Sequence, residues 1–414
     1  MTATQRPRRR ELWVLLALLA LLLAAVALWL TGRPAPHRVA SDAAPATLHA
    51  SLTQDAFGLP PLKLPPEVLL APERVELGRK LFFDRRLSFN GTMSCAMCHV
   101  PEEGFTSQAS RLSVGIEGRN LLRNAPTLLN VAWQTLLFHD GRENSLATQA
   151  WMPILHPDEM ANPSVGMVLE RIRTLEDYRG RFERVFGGMV ATMDTVGAAL
   201  AAYEATLVAG NSRVDRWLYG SEPVALTAIE QRGYRLFVGA ARCGNCHTVG
   251  ERDALYADGR FHVTGAGATS QRPASYVVPL APGVHTVVTT RDMASYSLPE
   301  VSDIGRFAIT LLEADRYAFK TPSLRNVSRT APYMHDGSLA TLEAVIDFYD
   351  AGGGEVEGKS PLLMALGLGA EDKNALLAFL KALDGAALER LATTSRRQEA
   401  PPEQGGNYVG ERRP

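Results

Sequence analysis

The sequence predicts a mainly α-helical body made of two copies of one domain. Three observations carry that expectation. First, all four cysteines fall in two matching units, "SCAMCH" at 94–99 and "RCGNCH" at 242–247. Second, "APTLLNV" (125–131) reappears as "TPSLRNV" (321–327), "FHDG" (138–141) as "MHDG" (334–337), and Ser145-Leu146 as Thr341-Leu342, all at one offset of 196 positions. Third, each cysteine unit follows a stretch with apolar residues at i, i+3, i+4 and i+7, the period of an amphipathic helix.

C-x-x-C-H is the attachment signature of c-type haem. The cysteines bond to the two vinyl groups, and the adjacent imidazole becomes an axial iron ligand. Competing readings explain less. A thioredoxin-like C-x-x-C needs no following histidine. A four-cysteine zinc site has its pairs within about twenty residues, and these lie far apart. Two disulfides would leave both histidines without a role. The fold class is therefore two cytochrome c-like domains, each wrapped around one covalent haem c through Cys95, Cys98 and His99 or Cys243, Cys246 and His247.

Length suggests two or three domains. A net charge of −1 gives no argument for nucleic acid. "RPRRRE" precedes a nineteen-residue uncharged apolar run at 12–30. A basic segment before an apolar core reads as an export signal, and this run approaches the length that spans a bilayer. Residues 1–31 are read as an uncleaved inner-membrane anchor, with a cleaved signal as the alternative. The arginines before the span keep that end cytoplasmic, so the body is periplasmic in a Gram-negative source. Residues 32–60, rich in Pro, Ala, Ser and Thr, read as a flexible tether. The N-terminal domain is expected over 61–219 and the C-terminal domain over 220–391. The Pro/Gly-rich 392–414 reads as a disordered tail.

Within the body, "ERVELGRKLFF" (73–83) and "ALTAIEQRGYRLFV" (225–238) are the helices before each cysteine unit. Further helices are expected at 145–153, 164–186, 194–209, 341–350 and 370–383, several bounded by Asp, Thr or Ser caps and Gly stops. The cysteine units are offset by only 148 positions, so the second copy carries about 48 extra residues somewhere in 250–319. That stretch reads as loop with some β-hairpin. Little other strand is expected.

The order of motifs resembles the bacterial di-haem cytochrome c peroxidases and their MauG-like relatives. The residues that carry it, over roughly 60–390, are the two C-x-x-C-H units, "RNAPTLLN", "HDGRENSLATQA", "DEM", "KTPSLRN" and "APYMHDGSLATLEAVIDFYDAGG". "SCAMCHVPEEGF", "VGIEGR", "DEMANPS" and "VDRWLYG" suggest the MbnH-like branch, MauG-like proteins of methanobactin-type copper operons.

The resemblance implies site residues. In the family the N-terminal haem meets peroxide beneath a Gln and a Glu, which match Gln149 and Glu159. The carboxylate would take a proton from peroxide and return it to the leaving oxygen, and Gln149 would orient the peroxide. Read without the family, both are ordinary solvated helix residues. Ordinary members carry a distal histidine on the loop before "RNAPT". Val100 to Arg123 contains none, so the first iron is expected to be open at rest. Ordinary members ligate the second iron with a Met fourteen residues after the "PYxH" histidine; here that position is Tyr349, the ligand type of MauG-like proteins. The alternative is that Tyr349 packs on its helix and Met334 ligates. The family's bridging Trp is His139, which pairs with His335 in the duplication and also reads as structural; Trp133 and Trp151 are other candidates for relaying electrons. The family's calcium maps to Asn124 and to the carbonyls of Thr330 and Pro332, oxygen donors that suit the ion.

The expected activity is a periplasmic peroxide-dependent oxidase. It would cleave hydrogen peroxide at the His99 haem and oxidise a protein partner over a distance. If the branch resemblance holds, the partner is a copper-binding protein whose tryptophan is modified. The rivals are an ordinary cytochrome c peroxidase fed by a small cytochrome, and an electron-transfer cytochrome without catalysis.

Overall fold

The computed structural model describes residues 51–66, 68–267, 275–289 and 303–396. The expected anchor and most of the tether lie outside them. Among the described residues no helix is long and apolar enough to cross a membrane.

Seven helices of nine residues or more frame the body: α1 (Pro72–Phe83), α2 (Val165–Thr174), α3 (Met193–Glu204), α4 (Ala228–Val238), α5 (Leu342–Asp350), α6 (Ala370–Lys381) and α7 (Leu388–Arg396). Helix α1 packs on α3, and α4 packs on α6. Each pair crosses at a glycine. A Cβ on Gly78 would lie 1.8 Å from the Ala199 carbonyl oxygen, and one on Gly233 would lie 2.0 Å from that of Ala375. Only the missing side chain lets the backbones meet so closely. Local chemistry starts the helices: Thr192 and Ser212 form reciprocal capping boxes with Thr195 and Asp215, which satisfies amide donors that the first turn leaves free.

The expected helix over 164–186 is broken. Helix α2 stops at Thr174, and Gly180, in the left-handed region at φ 70°, opens a separate turn at Arg181–Val185. Strand is scarce, as expected. Strand β1 (Phe261–Val263) pairs antiparallel with β4 (Ala318–Lys320), and β2 (Ser275–Ala281) forms a hairpin with β3 (Val284–Thr289). The hairpin turns at Pro282-Gly283, with Gly283 at φ 70°, which is the turn chemistry of proline followed by a positive-φ residue. Strand β1 and the β2–β3 hairpin fall within 250–319, and β4 ends one residue beyond it.

Two large buried apolar cores result, with a small third cluster at Val68, Ala201 and Ala205. The first gathers Leu81, Phe82, Trp151, Val196 and Leu200; the second gathers Val214, Phe237, Tyr256, Phe379 and Leu383. Val214, Trp217 and Leu218, which lie before the expected boundary at 219/220, pack in the second core. The expected disordered tail does not begin at 392, because α7 runs to Arg396 and packs Leu388 and Leu391 against the first core. Its Ser395 hydroxyl lies 3.2 Å from the Tyr203 hydroxyl. The end of the expected tether is also built in. Asp55 and Leu59 are buried, and the Trp133 indole donates to Pro60 O at 2.7 Å.

Candidate active site

Each cysteine unit begins as one tight turn. Cys95–Cys98 form a single helical turn, and Cys243–Asn245 a 3₁₀ turn. In both, the histidine amide donates to the first cysteine carbonyl at 2.9 Å. The chain then loops back to hold each imidazole. His99 Nδ1 lies 3.0 Å from Phe105 O, and His247 Nδ1 lies 2.8 Å from Tyr256 O. An Nδ1–H donated to a carbonyl fixes the tautomer and leaves Nε2 free for a metal. Burial lowers both imidazole pKa values, which keeps them in the neutral, ligating form. Phe105 and Tyr256 both sit at positive φ, 56° and 54°, uncommon for aromatic residues. The sequence reading missed this pair; a shared aromatic shortly after each C-x-x-C-H was the available signal.

Cys98, His99, Gln149, Glu159, Asn124, His139, Cys243, Cys246, His247, Thr330, Pro332, Met334 and Tyr349 all line one cavity of about 1470 Å³. Cys95 packs against the first core beside it. A single small-molecule site has roughly 300–1,000 Å³, so this space suits two large groups. Its walls also hold polar atoms that the protein does not satisfy: Ser113 Oγ, both amide atoms of Asn120 and Asp336 Oδ2. Buried polar atoms need partners. A large, mostly apolar group with a polar edge, such as haem c with its carboxylates, fits such walls. None of the four cysteines is in a disulfide.

Over the first unit, Ser145 caps the turn Leu146–Gln149, placing Gln149 in the cavity wall. Glu159 follows the helical turn Trp151–Leu155. Burial raises its pKa, while His156 and Arg142 pull it down and Asp158 adds to the rise. It lies near enough to raise the Cys98 thiol, whose pKa burial pushes up to about 12. At the second unit, Tyr349 on α5 faces Cys246 and Cys243, which join burial in raising its pKa. Met334 lines the cavity as well. Asp258 Oδ2 and His262 Nε2 lie 2.8 Å apart beside Cys246, a pair the sequence did not reveal. Cys246 is already assigned to the haem motif.

Where the copies meet, the duplicated motifs bond across. The Asn124 amide donates to His335 O at 2.8 Å, and the Lys320 amide to His139 O at 2.8 Å. His139 Nε2 lies 3.1 Å from Asn124 O, and His335 stacks on Phe319 at 3.6 Å. Burial, then His335 and Arg123, lower the His139 pKa to about 3. Asn124 Nδ2 donates to Arg111 O at 3.1 Å. Among the described residues no tryptophan lines the cavity; the Trp151 indole is buried and donates to Met193 O at 2.9 Å.

Residues 72–223 match the family model of the di-haem cytochrome c peroxidases. The chain is 38% identical over 353 residues to the methylamine utilization protein MauG of Methylorubrum extorquens, covering 83% of this chain and 89% of that one. It is 37% identical over 333 residues to the cytochrome-c peroxidase IdrP1 of Denitromonas iodatirespirans, covering 78% and 85%. Among solved structures it resembles a MauG-like protein associated with microbial copper homeostasis, at TM-score 0.66 and 32% identity, covering 82% and 96%. The fold and site define a two-haem oxidoreductase. The chain belongs to the di-haem cytochrome c peroxidase and MauG family.

Proposed function

We propose that this chain is a peroxide-dependent oxidase with an open first site, of the MauG-like kind. The observation that supports the reading is the cavity wall that Gln149 and Glu159 share with His99. The loop from Val100 to Arg123 holds no histidine that could close it.

Two copies of a cytochrome c domain would hold two covalent haems, Cys95, Cys98 and His99 holding one and Cys243, Cys246 and His247 the other, and Tyr349 would serve as a further ligand at the second site. When bound, the haems supply peroxide binding and the storage and transfer of electrons. The chain's residues move protons and set geometry. Glu159 accepts a proton from incoming hydrogen peroxide and returns it to the leaving oxygen. Gln149 orients the peroxide by hydrogen bonding. Two electrons and two further protons complete its reduction to two waters, and a protein partner supplies the electrons. Tyr349 is an anionic oxygen donor once deprotonated, and favours the oxidised states of the second site. Asn124, with the carbonyls of Thr330 and Pro332, holds a calcium ion at the junction of the copies.

Residues 1–31 direct export to the periplasm, as an inner-membrane anchor or as a cleaved signal. The likeness to a MauG-like protein associated with microbial copper homeostasis supports a copper-binding periplasmic protein as the partner. The second reading is ordinary cytochrome c peroxidase activity, which the 37% identity to a protein of that name favours.

Optical and EPR spectra of the as-isolated diferric protein, before and after one equivalent of hydrogen peroxide, test the proposal. A high-spin plus low-spin resting signal that changes at once supports it. Two low-spin signals that ignore peroxide until one haem is reduced overturn it in favour of the second reading.

A further inference from the structure

Residues 111–123 fold into a small hairpin whose tip is pressed against the turn that carries Glu159. Leu121 N bonds Ser113 O at 2.9 Å, and Gly115 N bonds Arg119 O at 2.8 Å. Two features lock the tip onto the turn. Ile116, which is 1% exposed, donates its amide to Glu159 O at 2.9 Å. Arg119 Nη1 donates to Pro157 O at 3.1 Å and lies 3.7 Å from Asp158 Oδ1.

Gly115 makes the contact possible. A Cβ there would lie 1.8 Å from Asp158 O and 2.8 Å from the Glu159 Cα. Its φ is −96°, open to any residue, so the requirement is space alone. Cβ atoms do not approach other atoms closer than 3.0 Å, so any side chain at 115 would push the turn back by roughly 1.2 Å, the scale of misplacement that costs about 100-fold in rate.

We infer that Gly115 and Arg119 are positioning residues that fix Glu159 over the first haem site, so that this hairpin presets the carboxylate before peroxide arrives. The inference rests on the proposed role of Glu159.

The test is a double-mutant cycle on the haem-loaded, full-length protein, comparing wild type, Gly115→Ala, Glu159→Gln and the double variant. The second-order rate of the Soret change on mixing with hydrogen peroxide is measured across pH. Gly115→Ala is expected to slow it about 100-fold and to move the midpoint of its pH profile. In the Glu159→Gln background the same substitution should cost less than about twofold, because residues acting through one another are not additive. A wild-type rate in Gly115→Ala, or a cost that persists undiminished in Glu159→Gln, overturns the inference while leaving the role of Glu159 standing. A wild-type rate in Glu159→Gln overturns that role, and the inference with it. If Gly115→Ala does not load both haems, Arg119→Ala replaces it in the cycle. It deletes two polar ties without adding bulk, with an expected loss of about tenfold that must also vanish beside Glu159→Gln.

Discussion

Glu159 sits where burial and three neighbours compete over its proton. Burial and Asp158 favour the acid, and His156 and Arg142 favour the carboxylate. The net rise means that the proton-accepting form fills only above the ordinary glutamate range, near pH 4.3. Reaction with peroxide should therefore slow as pH falls through that raised value, and recover above it. Glu159→Gln should lower the rate by about 10²–10⁴-fold and flatten the profile; stopped-flow rates from pH 4 to 9 check both. Tyr349 makes a separate prediction. Methionine ligation raises the potential of a haem, so Tyr349→Met should raise that of the second site and leave the first unchanged, as read by spectroelectrochemistry. An unmoved second potential would count against Tyr349 as a ligand and for Met334.

Glu204 ends helix α3 inside the first core, 5% exposed, and burial raises its pKa from 4.5 to about 8. The folded state then keeps a proton that the unfolded chain releases. Stability from this group is fully present below pH 4.5 and falls as pH climbs to about 8. Glu204→Gln should remove that slope and raise the melting temperature at pH 8–9 relative to wild type, measured by thermal unfolding of the holoprotein. The helix crossings have their own test. Gly78→Ala or Gly233→Ala would force α1 from α3, or α4 from α6, and overpacking of this kind costs about 1–3 kcal/mol. Denaturant titration of each variant measures it. The extent of α7 was not legible from composition, because a polar, Pro/Gly-rich tail beyond it masks an amphipathic turn that forms only against the first core.

Arg325 ties the whole molecule together. It is 2% exposed, and its guanidinium meets both carboxylate oxygens of Asp215 at 2.8 Å. It also donates to the carbonyls of Ala254 and Gly58. One side chain thus joins residues from the end of the expected tether, the changeover between cores, and the second copy. Removing one member of a buried pair leaves the other charge unpaired, at a cost of about 3–5 kcal/mol. Arg325→Met should lower the unfolding midpoint accordingly, and an unchanged midpoint would show that the hub is dispensable. Asn130 and Asn326, one from each repeated "NV", both donate to the single carbonyl of Ala209 at 3.1 Å. The repeat that self-comparison finds 196 positions apart is brought to one atom.

The two C-x-x-C-H units, the helical class and the repeat were readable in the sequence. Each is local chemistry at fixed spacing, which one chain carries without knowing its partners. Glu159 and Gln149 were nameable only through resemblance, since nothing in a solvated-looking "PDEM" or "ATQA" distinguishes them. The tertiary structure alone decided that Phe105 and Tyr256 offer their carbonyls to the two imidazoles, that Asp215 and Arg325 pair, and that an empty Cβ position at Gly115 lets a hairpin seat the glutamate. Those contacts join residues between six and 110 positions apart, or depend on a backbone carbonyl that every residue possesses. Spacing and side-chain identity record neither, and only the closed chain brings such groups within bonding distance.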